Sequence, residues 1–320
     1  MNSSTLTSES NPSCDRWRLW LFLIVFFGFL GVAVAVVAWF DPYDWLGRRG
    51  YVAAAPRSGV DQMMGKVISL NNILPDERKR VDVVVIGDSR ARLLTTATKS
   101  NTDGHLIVNG GVGGLSIEES LTFLEYQVPR FPSVKRVVLL APFERLSQAS
   151  TPNRIHDVIQ IADSLPGYLL NWEHLKMSLS AWRYSPVPRG YDGGVLNVAV
   201  PRTPDQVALD LSREQFRAYD AHLADRRIAA LAETVNLLRD RGLQVMLWMP
   251  PLRQDVQSYF AEFRLEAEKD RLAASLRKIA PLVDSVLEPG IGNIRFVFID
   301  PVHTDNGPAI LAELLRSTSR

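Results

Sequence analysis

The chain has almost no cysteine. Its single thiol, Cys14, lies ahead of a long apolar run, so the rest of the molecule can form neither an intrachain disulfide nor a cysteine metal site. It also lacks an excess of either charge. Lys plus Arg total 36 against 35 Asp plus Glu, which gives no electrostatic reason for a nucleic-acid partner. The five histidines show no H-E-x-x-H or other metal-ligand spacing, so neither a catalytic metal nor another cofactor is expected. A P-loop lysine and internal repeats are absent too. Hydrophobic content of 46% and charged content of 22% nevertheless describe a folded globular chain.

What is present begins with a charge-free run, Leu19 to Phe40. As a helix it would span roughly 33 Å at about 1.5 Å per residue, enough to cross a bilayer core. Trp17, Trp20, Trp39 and Phe40 mark its ends, as interfacial aromatics do. A buried core helix is the alternative, but soluble cores rarely need 22 uncharged residues in a row. Ala33 and Ala35 leave signal-peptide cleavage open, although the run exceeds the usual apolar region of about 7–15 residues. Arg16 and Arg18 at one end and Arg48 and Arg49 beyond the other leave orientation undecided by charge. The short leader and long remainder favour a signal anchor with the large domain outside. The expected organisation is a cytoplasmic tail (1–18), a transmembrane anchor (19–40), a juxtamembrane segment (41–80) holding a short helix from Asp61 to Leu70, and a main domain (81–318).

Within that domain, short β-branched runs alternate with helical periods. Strands are expected at Val81–Ile86, Leu106–Val108, Val134–Leu140, Leu243–Met249 and Ile294–Ile299. Helices are expected at Arg90–Thr96, Ile117–Val128 (capped by Ser116), Arg213–Arg241 (stopped at Gly242), Gln254–Val286 and Ile310–Leu315. Such alternation predicts βαβ crossovers and a three-layer α/β/α sandwich with a mainly parallel sheet. Regular order fades over about 143–211, an expected insertion bearing Trp172, Trp182, Tyr184, Tyr191, Gly190 and Gly193-Gly194.

Three polar motifs follow strands. Gly87-Asp88-Ser89 lies at a strand-to-helix turn, which exposes a serine hydroxyl and aims backbone N–H groups at developing negative charge. Equally, Asp88 or Ser89 could serve only as a helix cap. Asn109 to Gly114 is a glycine-dense loop suited to an anion or oxyanion, without the spacing of a dinucleotide fingerprint. Asp300-Pro301-Val302-His303 pairs a histidine with a carboxylate able to hold its tautomer, or forms a local turn and nothing more. His156, His174 and His222 have no such companion, and His105 is expected to be exposed.

In this order, GDS, NxGxxG and a terminal DxxH resemble the SGNH (GDSL-type) hydrolase superfamily over roughly 81–142 and 243–318. The resemblance implies Ser89 as nucleophile, His303 as base and Asp300 as its orienter. It also implies that the Ser89 and Gly114 N–H groups form an oxyanion hole, with Asp88 and Asn109 in support. One block departs from the pattern. Where the family carries Gly-x-Asn-Asp, whose asparagine completes the hole, this chain has Ala141-Pro142-Phe143-Glu144-Arg145. Losing one oxyanion donor typically costs about 10²–10³ in rate. Arg145 could donate instead, whereas Glu144 would repel an oxyanion unless protonated. The layout is also similar to membrane-anchored SGNH-like proteins of bacterial polysaccharide systems, including alginate O-acetylation and DltD-like proteins. That likeness implies an acyl-ester hydrolase or O-acyltransferase at the outer face of the cytoplasmic membrane. Its partners would be a cell-surface polysaccharide or acylated carbohydrate and other biosynthetic proteins. An inactive polymer-binding or scaffold domain is the second reading, and a nucleotide-binding domain the third.

Overall fold

The computed structural model describes residues 12–47, 51–52, 59–95, 97–102, 104–148, 153–181, 187–188 and 205–317. Thr96, Trp182, Tyr184, Tyr191 and the insertion glycines Gly190, Gly193 and Gly194 lie outside them, as does the first part of the expected tail.

A six-stranded sheet forms the centre: β1 Val83–Ile86, β2 Lys99–Thr102, β3 His105–Asn109, β4 Arg136–Leu140, β5 Gln244–Met249 and β6 Leu282–Asp284. Its spatial order is β2-β3-β1-β4-β5-β6, parallel throughout except for the antiparallel β2–β3 pair at one edge. Successive side chains point to opposite faces, so strands such as VVVI and RVVLL can be apolar throughout only if both faces are covered. They are. Val84, Ile86, Val137, Leu139, Val245 and Leu247 enter one core cluster beneath the helices Gly59–Asn71, Ile117–Gln127, Ala221–Asp240 and Glu266–Ile279. Val83, Val85, Val138, Leu140, Met246 and Trp248 enter a second cluster with the terminal helix Gly307–Ser317. This is the expected three-layer α/β sandwich. The chain leaves β1 toward one edge and returns to its other side at β4, so the strand order reverses beside β1, where open α/β sheets bind ligands at the strands' C-terminal ends.

Several expected elements are corrected. Ile294–Ile299 is not a sheet strand. Ile294–Arg295 pairs only with Gly290–Ile291, and the last sheet position belongs to Leu282–Asp284. The Phe296–Ile299 run instead folds back on 303–305, with Ile299 N–H donating to the His303 carbonyl at 2.9 Å and Asp305 N–H to Val297 at 2.7 Å. Its β-branched residues satisfy their backbone in a local hairpin that leaves Val297 and Ile299 exposed. The helical period over 213–241 contains two helices, Asp205–Arg217 and Ala221–Asp240. They are separated where the Asp220 carboxylate accepts from the His222 and Leu223 N–H groups as a new N-cap. The 254–286 stretch likewise divides into Gln254–Glu262 and Glu266–Ile279 before β6, parted at Arg264, which has φ 56°. The helix expected over Arg90–Thr96 is the single turn Ser89–Arg92. The region read as an insertion of helices and loops holds the helices Phe143–Ser147, Arg154–Ala162, Leu165–Leu169 and Trp172–Ala181.

The apolar N-terminal helix runs Pro12–Phe40. From Arg16 to Phe40 it is long and apolar enough to cross a membrane, and as far as Phe29 its side chains are almost all exposed. A buried collar follows. The Asp41 carboxylate accepts from Trp45 and Leu46 N–H (2.8 and 3.0 Å) and from the Tyr168 hydroxyl (2.9 Å), while Trp45 Nε1 donates to the Ala162 carbonyl at 2.6 Å. Asn72 Nδ2 donates to the Asp44 carbonyl at 2.8 Å. The apolar helix is thus fastened to the domain and not merely tethered to it.

Gly307 begins the terminal helix where a Cβ would lie 1.8 Å from the Leu93 carbonyl oxygen. Gly307→Ala should therefore displace that helix from the turn bearing Ser89. A loss of several kcal/mol is expected, at the upper end for overpacking of about 1–3 kcal/mol or beyond. Thermal unfolding of the full-length protein in detergent checks this, with Gly104→Ala (an exposed turn with no atom within 4 Å) as the comparison for backbone strain alone.

Candidate active site

β1 delivers Gly87, Asp88 and Ser89 to the C-terminal rim of the sheet. Gly87 has φ +157°, and a Cβ there would lie 2.6 Å from that of Leu140, so the turn needs glycine to pass β4. Asp88 is the N-cap of the Ser89–Arg92 turn, its Oδ1 accepting from Arg90 N–H at 3.0 Å. The capping duty falls on Asp88, and the Ser89 hydroxyl is left for another partner. That partner is His303. Its Nε2 lies 2.6 Å from Ser89 Oγ, across 214 residues of sequence. His303 Nδ1 lies 2.6 Å from Asp300 Oδ2, and Asp300 Oδ1 accepts from the Val302 and His303 N–H groups, both at 2.9 Å. One tautomer serves both contacts: Nδ1–H donates to Asp300, and the Nε2 lone pair accepts from the Ser89 hydroxyl. Burial would raise the Asp300 carboxyl pKa. The His303 hydrogen bond and charge, with those two backbone N–H groups, outweigh it and hold Asp300 below the ordinary carboxylate range.

The glycine loop packs against the serine turn. Asn109 is fully buried. Its Nδ2 donates to the Ala91 carbonyl at 2.7 Å and to Thr95 Oγ1 at 2.9 Å, and its Oδ1 accepts from Gly111 N–H at 2.7 Å. Lys66 Nζ donates to the Asn109 main-chain carbonyl at 3.1 Å. A Cβ on Gly111 would fall 2.2 Å from Arg92 N, so the loop lies backbone against backbone on the Ser89 turn. Gly114 turns with φ +76°, and its carbonyl accepts from Arg154 Nη2 at 3.1 Å. Arg154 is held in turn by Glu119 through contacts of 2.8 and 2.9 Å. Glu119 also completes a capping box with Ser116.

Beneath the serine lies a charge cluster that sequence reasoning missed in part. Arg90 Nη2 reaches Asp88 Oδ2 at 2.6 Å and Glu144 Oε1 at 2.5 Å, all three side chains being about 95% buried or more. Arg145 faces Asp88 Oδ2 with Nε at 3.7 Å, and its Nη1 donates to Gln148 Oε1 at 2.5 Å. Burial alone would raise the Asp88 carboxyl pKa, but the charge and hydrogen bonds of Arg90, with the charge of Arg145, drive it far below its usual value. Burial likewise opposes the Arg90 charge, and Asp88 and Glu144 overcome it and raise its pKa. Glu144 and Arg90 were unreadable as a pair, because nothing local joins positions 54 apart. Arg154 and Glu119 were equally hidden.

The other histidines lie elsewhere. His174 is buried, with Nδ1 2.8 Å from the Tyr168 carbonyl, and His105 is half-exposed near Asp82. No cluster of three or more metal-ligating side chains occurs among the described residues. A cleft of about 720 Å³ lined by Arg136, Val138, Met246, Leu282 and Leu315 opens at the opposite, N-terminal edge of the strands, away from Ser89, His303 and Asp300.

No family model matches the sequence, and no curated protein matches it. Among solved structures, the chain is similar to a Bacteroides fragilis protein named as a candidate acylhydrolase. Identity is 16% and the TM-score 0.35, over 76% of this chain and 91% of that one. It is also similar to a GDSL-like lipase of Bacteroides thetaiotaomicron, with 13% identity and a TM-score of 0.34 over 82% and 98% of the two chains. Likeness of this degree assigns no activity.

Two outcomes are expected from the buried cluster. Arg90→Met strands two carboxylates away from water and should cost about 3–5 kcal/mol, measured by denaturant unfolding. The depressed Asp88 pKa makes its contribution to stability fully present above the ordinary carboxylate value of about 3.9, and progressively lost as pH falls below it. The melting temperature should therefore hold from neutrality to about pH 5 and drop steeply toward pH 3. Asp88→Asn should flatten that drop.

Proposed function

We propose that this protein is a membrane-anchored SGNH-like serine enzyme. It would hydrolyse or transfer an acyl ester on a cell-surface polysaccharide outside the bacterial cytoplasmic membrane. The observation that carries the reading is the unbroken line from Ser89 Oγ through His303 to Asp300, at the reversal point of a parallel α/β sheet. In the proposed reaction His303 Nε2 takes the Ser89 proton as Oγ adds to the acyl carbonyl. The tetrahedral oxyanion is held by the Ser89 and Gly114 N–H groups. Collapse breaks the ester bond, and the leaving alcohol takes the proton back from His303. Water or a sugar hydroxyl then gives its proton to His303 as it adds to the acyl carbonyl, and His303 returns that proton to Ser89 Oγ as the acyl–Oγ bond breaks. Asp300 keeps the imidazole in its working tautomer and stabilises its protonated form.

The altered third block favours the second reading, a catalytically weak domain that binds polymer or scaffolds a biosynthetic complex. Glu144 occupies the region where the superfamily places an oxyanion donor, and its carboxylate is committed to Arg90. The intact triad favours the enzyme, since a scaffold has no chemical use for it.

The test uses full-length protein in detergent with 4-nitrophenyl acetate, followed by release of nitrophenol and by intact mass. An acetyl adduct is expected on the parent and absent from Ser89→Ala. Turnover should fall about 10⁶-fold in His303→Ala, and by about 10⁴ in Asp300→Asn. No adduct and no turnover from folded protein would select the scaffold. Arg145→Ala divides its two proposed duties. Loss of a third oxyanion donor lowers kcat by about 10²–10³ with little change in melting temperature, whereas loss of a support for Asp88 lowers the melting temperature first.

A further inference from the structure

Resting on the anchor reading, we propose that the protein makes a second contact with the bilayer. The helix Trp172–Ala181 would lie in the leaflet on the domain's side, alongside the anchor. The argument is one of length. Leu19–Phe40 holds 22 residues, about 33 Å of helix, against a hydrocarbon core of about 30 Å. It cannot be extended backward, because Asp15, Arg16 and Arg18 immediately precede it. Every turn up to Phe40 is therefore needed to cross.

The last three turns are not free for lipid on every side. Leu30, Ala33, Val34 and Val37 form a stripe at spacings of three and four, and each is partly or fully buried. Trp172–Ala181 is the element packed most extensively on this helix, and the short helix Leu165–Leu169 touches it as well. His174, in the first turn of Trp172–Ala181, sets its ring 5.2 Å from that of Tyr43, just beyond the anchor's end. Beyond that point the helix packs on the anchor, and its 10 residues make about 15 Å of helix, as much as Leu30 to Phe40. Whatever lies beside those turns shares their depth.

The side chains fit that depth. The buried face holds His174 and Ser178 against protein. Outward stand Trp172 and Leu179, exposed at 63% and 53%, with Leu165 and Leu170 before them. In water this would be an unexplained apolar surface continuous with a bare transmembrane helix. The charged residues on the outward face, Glu173 and Lys176, pair with each other at 2.6 Å and lie toward the domain end. Leu179 lies about 4.5 Å of helix beyond Lys176 and about 9 Å beyond Glu173, at the deeper end. Trp172 then stands at the level of the headgroups, where Trp39 closes the anchor on its exposed side. The geometry is that of a short helix packed on a transmembrane one, with its polar residues nearer the headgroups and its apolar end below them.

Single cysteines introduced into a full-length Cys14→Ser background test this. Leu179→Cys and Leu170→Cys report the proposed contact, Phe26→Cys the anchor, and Leu287→Cys an exposed apolar position on the domain. Each is labelled with an environment-sensitive nitrobenzoxadiazole and placed in phosphatidylcholine–phosphatidylglycerol nanodiscs, with or without acyl-chain doxyl lipid. The expected result is a blue-shifted emission, quenched by doxyl lipid, at 26 and 179. A weaker effect is expected at 170, and a water-like unquenched signal at 287. Quenching at 26 with a water-like signal at 179 and 170 overturns the second contact and leaves the anchor standing. An unquenched signal at 26 overturns the anchor, and the second contact with it. All four positions are exposed, so a melting temperature equal to that of Cys14→Ser confirms that labelling left the fold intact.

Discussion

Arg90 lies under the serine turn with two carboxylates on one guanidinium group, and the site depends on that arrangement. Removing three charges from water costs several kcal/mol per ion. It is tolerable only because Asp88 and Glu144 approach Arg90 within 2.6 Å, and because Asp88 also caps the turn that presents Ser89. Geometry and electrostatics are therefore one device. The carboxylate that ends β1's chain direction and starts the helix is the same one that neutralises the buried cation. The cation in turn ties β1's rim to the segment after β4. A hydrophobic replacement of the whole cluster could be more stable, but it would not fix the turn at one angle to the sheet.

Around that turn two chain segments converge, the loop from Asn109 and the start of the terminal helix. Asn109 holds the carbonyl of Ala91, Gly111 lies on Arg92, and Gly307 meets Leu93. Each contact is backbone against backbone or nearly so, which explains why glycine and a short amide occupy these places. The serine's position is fixed by its neighbours more than by its own one-turn helix, which is too short to hold itself.

How much was legible follows from the same physics. Gly87-Asp88-Ser89 and Asp300-Pro301-Val302-His303 could be read because their chemistry is local: a turn, a cap and an i,i+3 imidazole–carboxylate pair. The strands VVVI and RVVLL could be read because both of their faces are apolar. Phe296–Ile299 has the same composition and misled, since β-branched residues satisfy a local hairpin as well as a central strand. Leu282–Asp284 was invisible within a long helical period, being three residues long and marked only by Pro281. The break at Asp220 was a capping signal inside an amphipathic pattern, and the pattern masked it. Arg90–Glu144, Arg154–Glu119 and Lys66–Asn109 join residues tens of positions apart, so no spacing rule could have found them.

The hydroxyl and the imidazole that would activate it are 214 residues apart, and the loop bearing His303 is held by the helix at Gly307–Ser317. This imposes an order in time. A growing chain can form β1, seat Asp88 on Arg90 and complete most of the sheet while its serine is still chemically inert. Reactivity arrives only when the last few tens of residues dock. On the proposed reading, this late docking leaves the serine without its base until the sheet around it is complete.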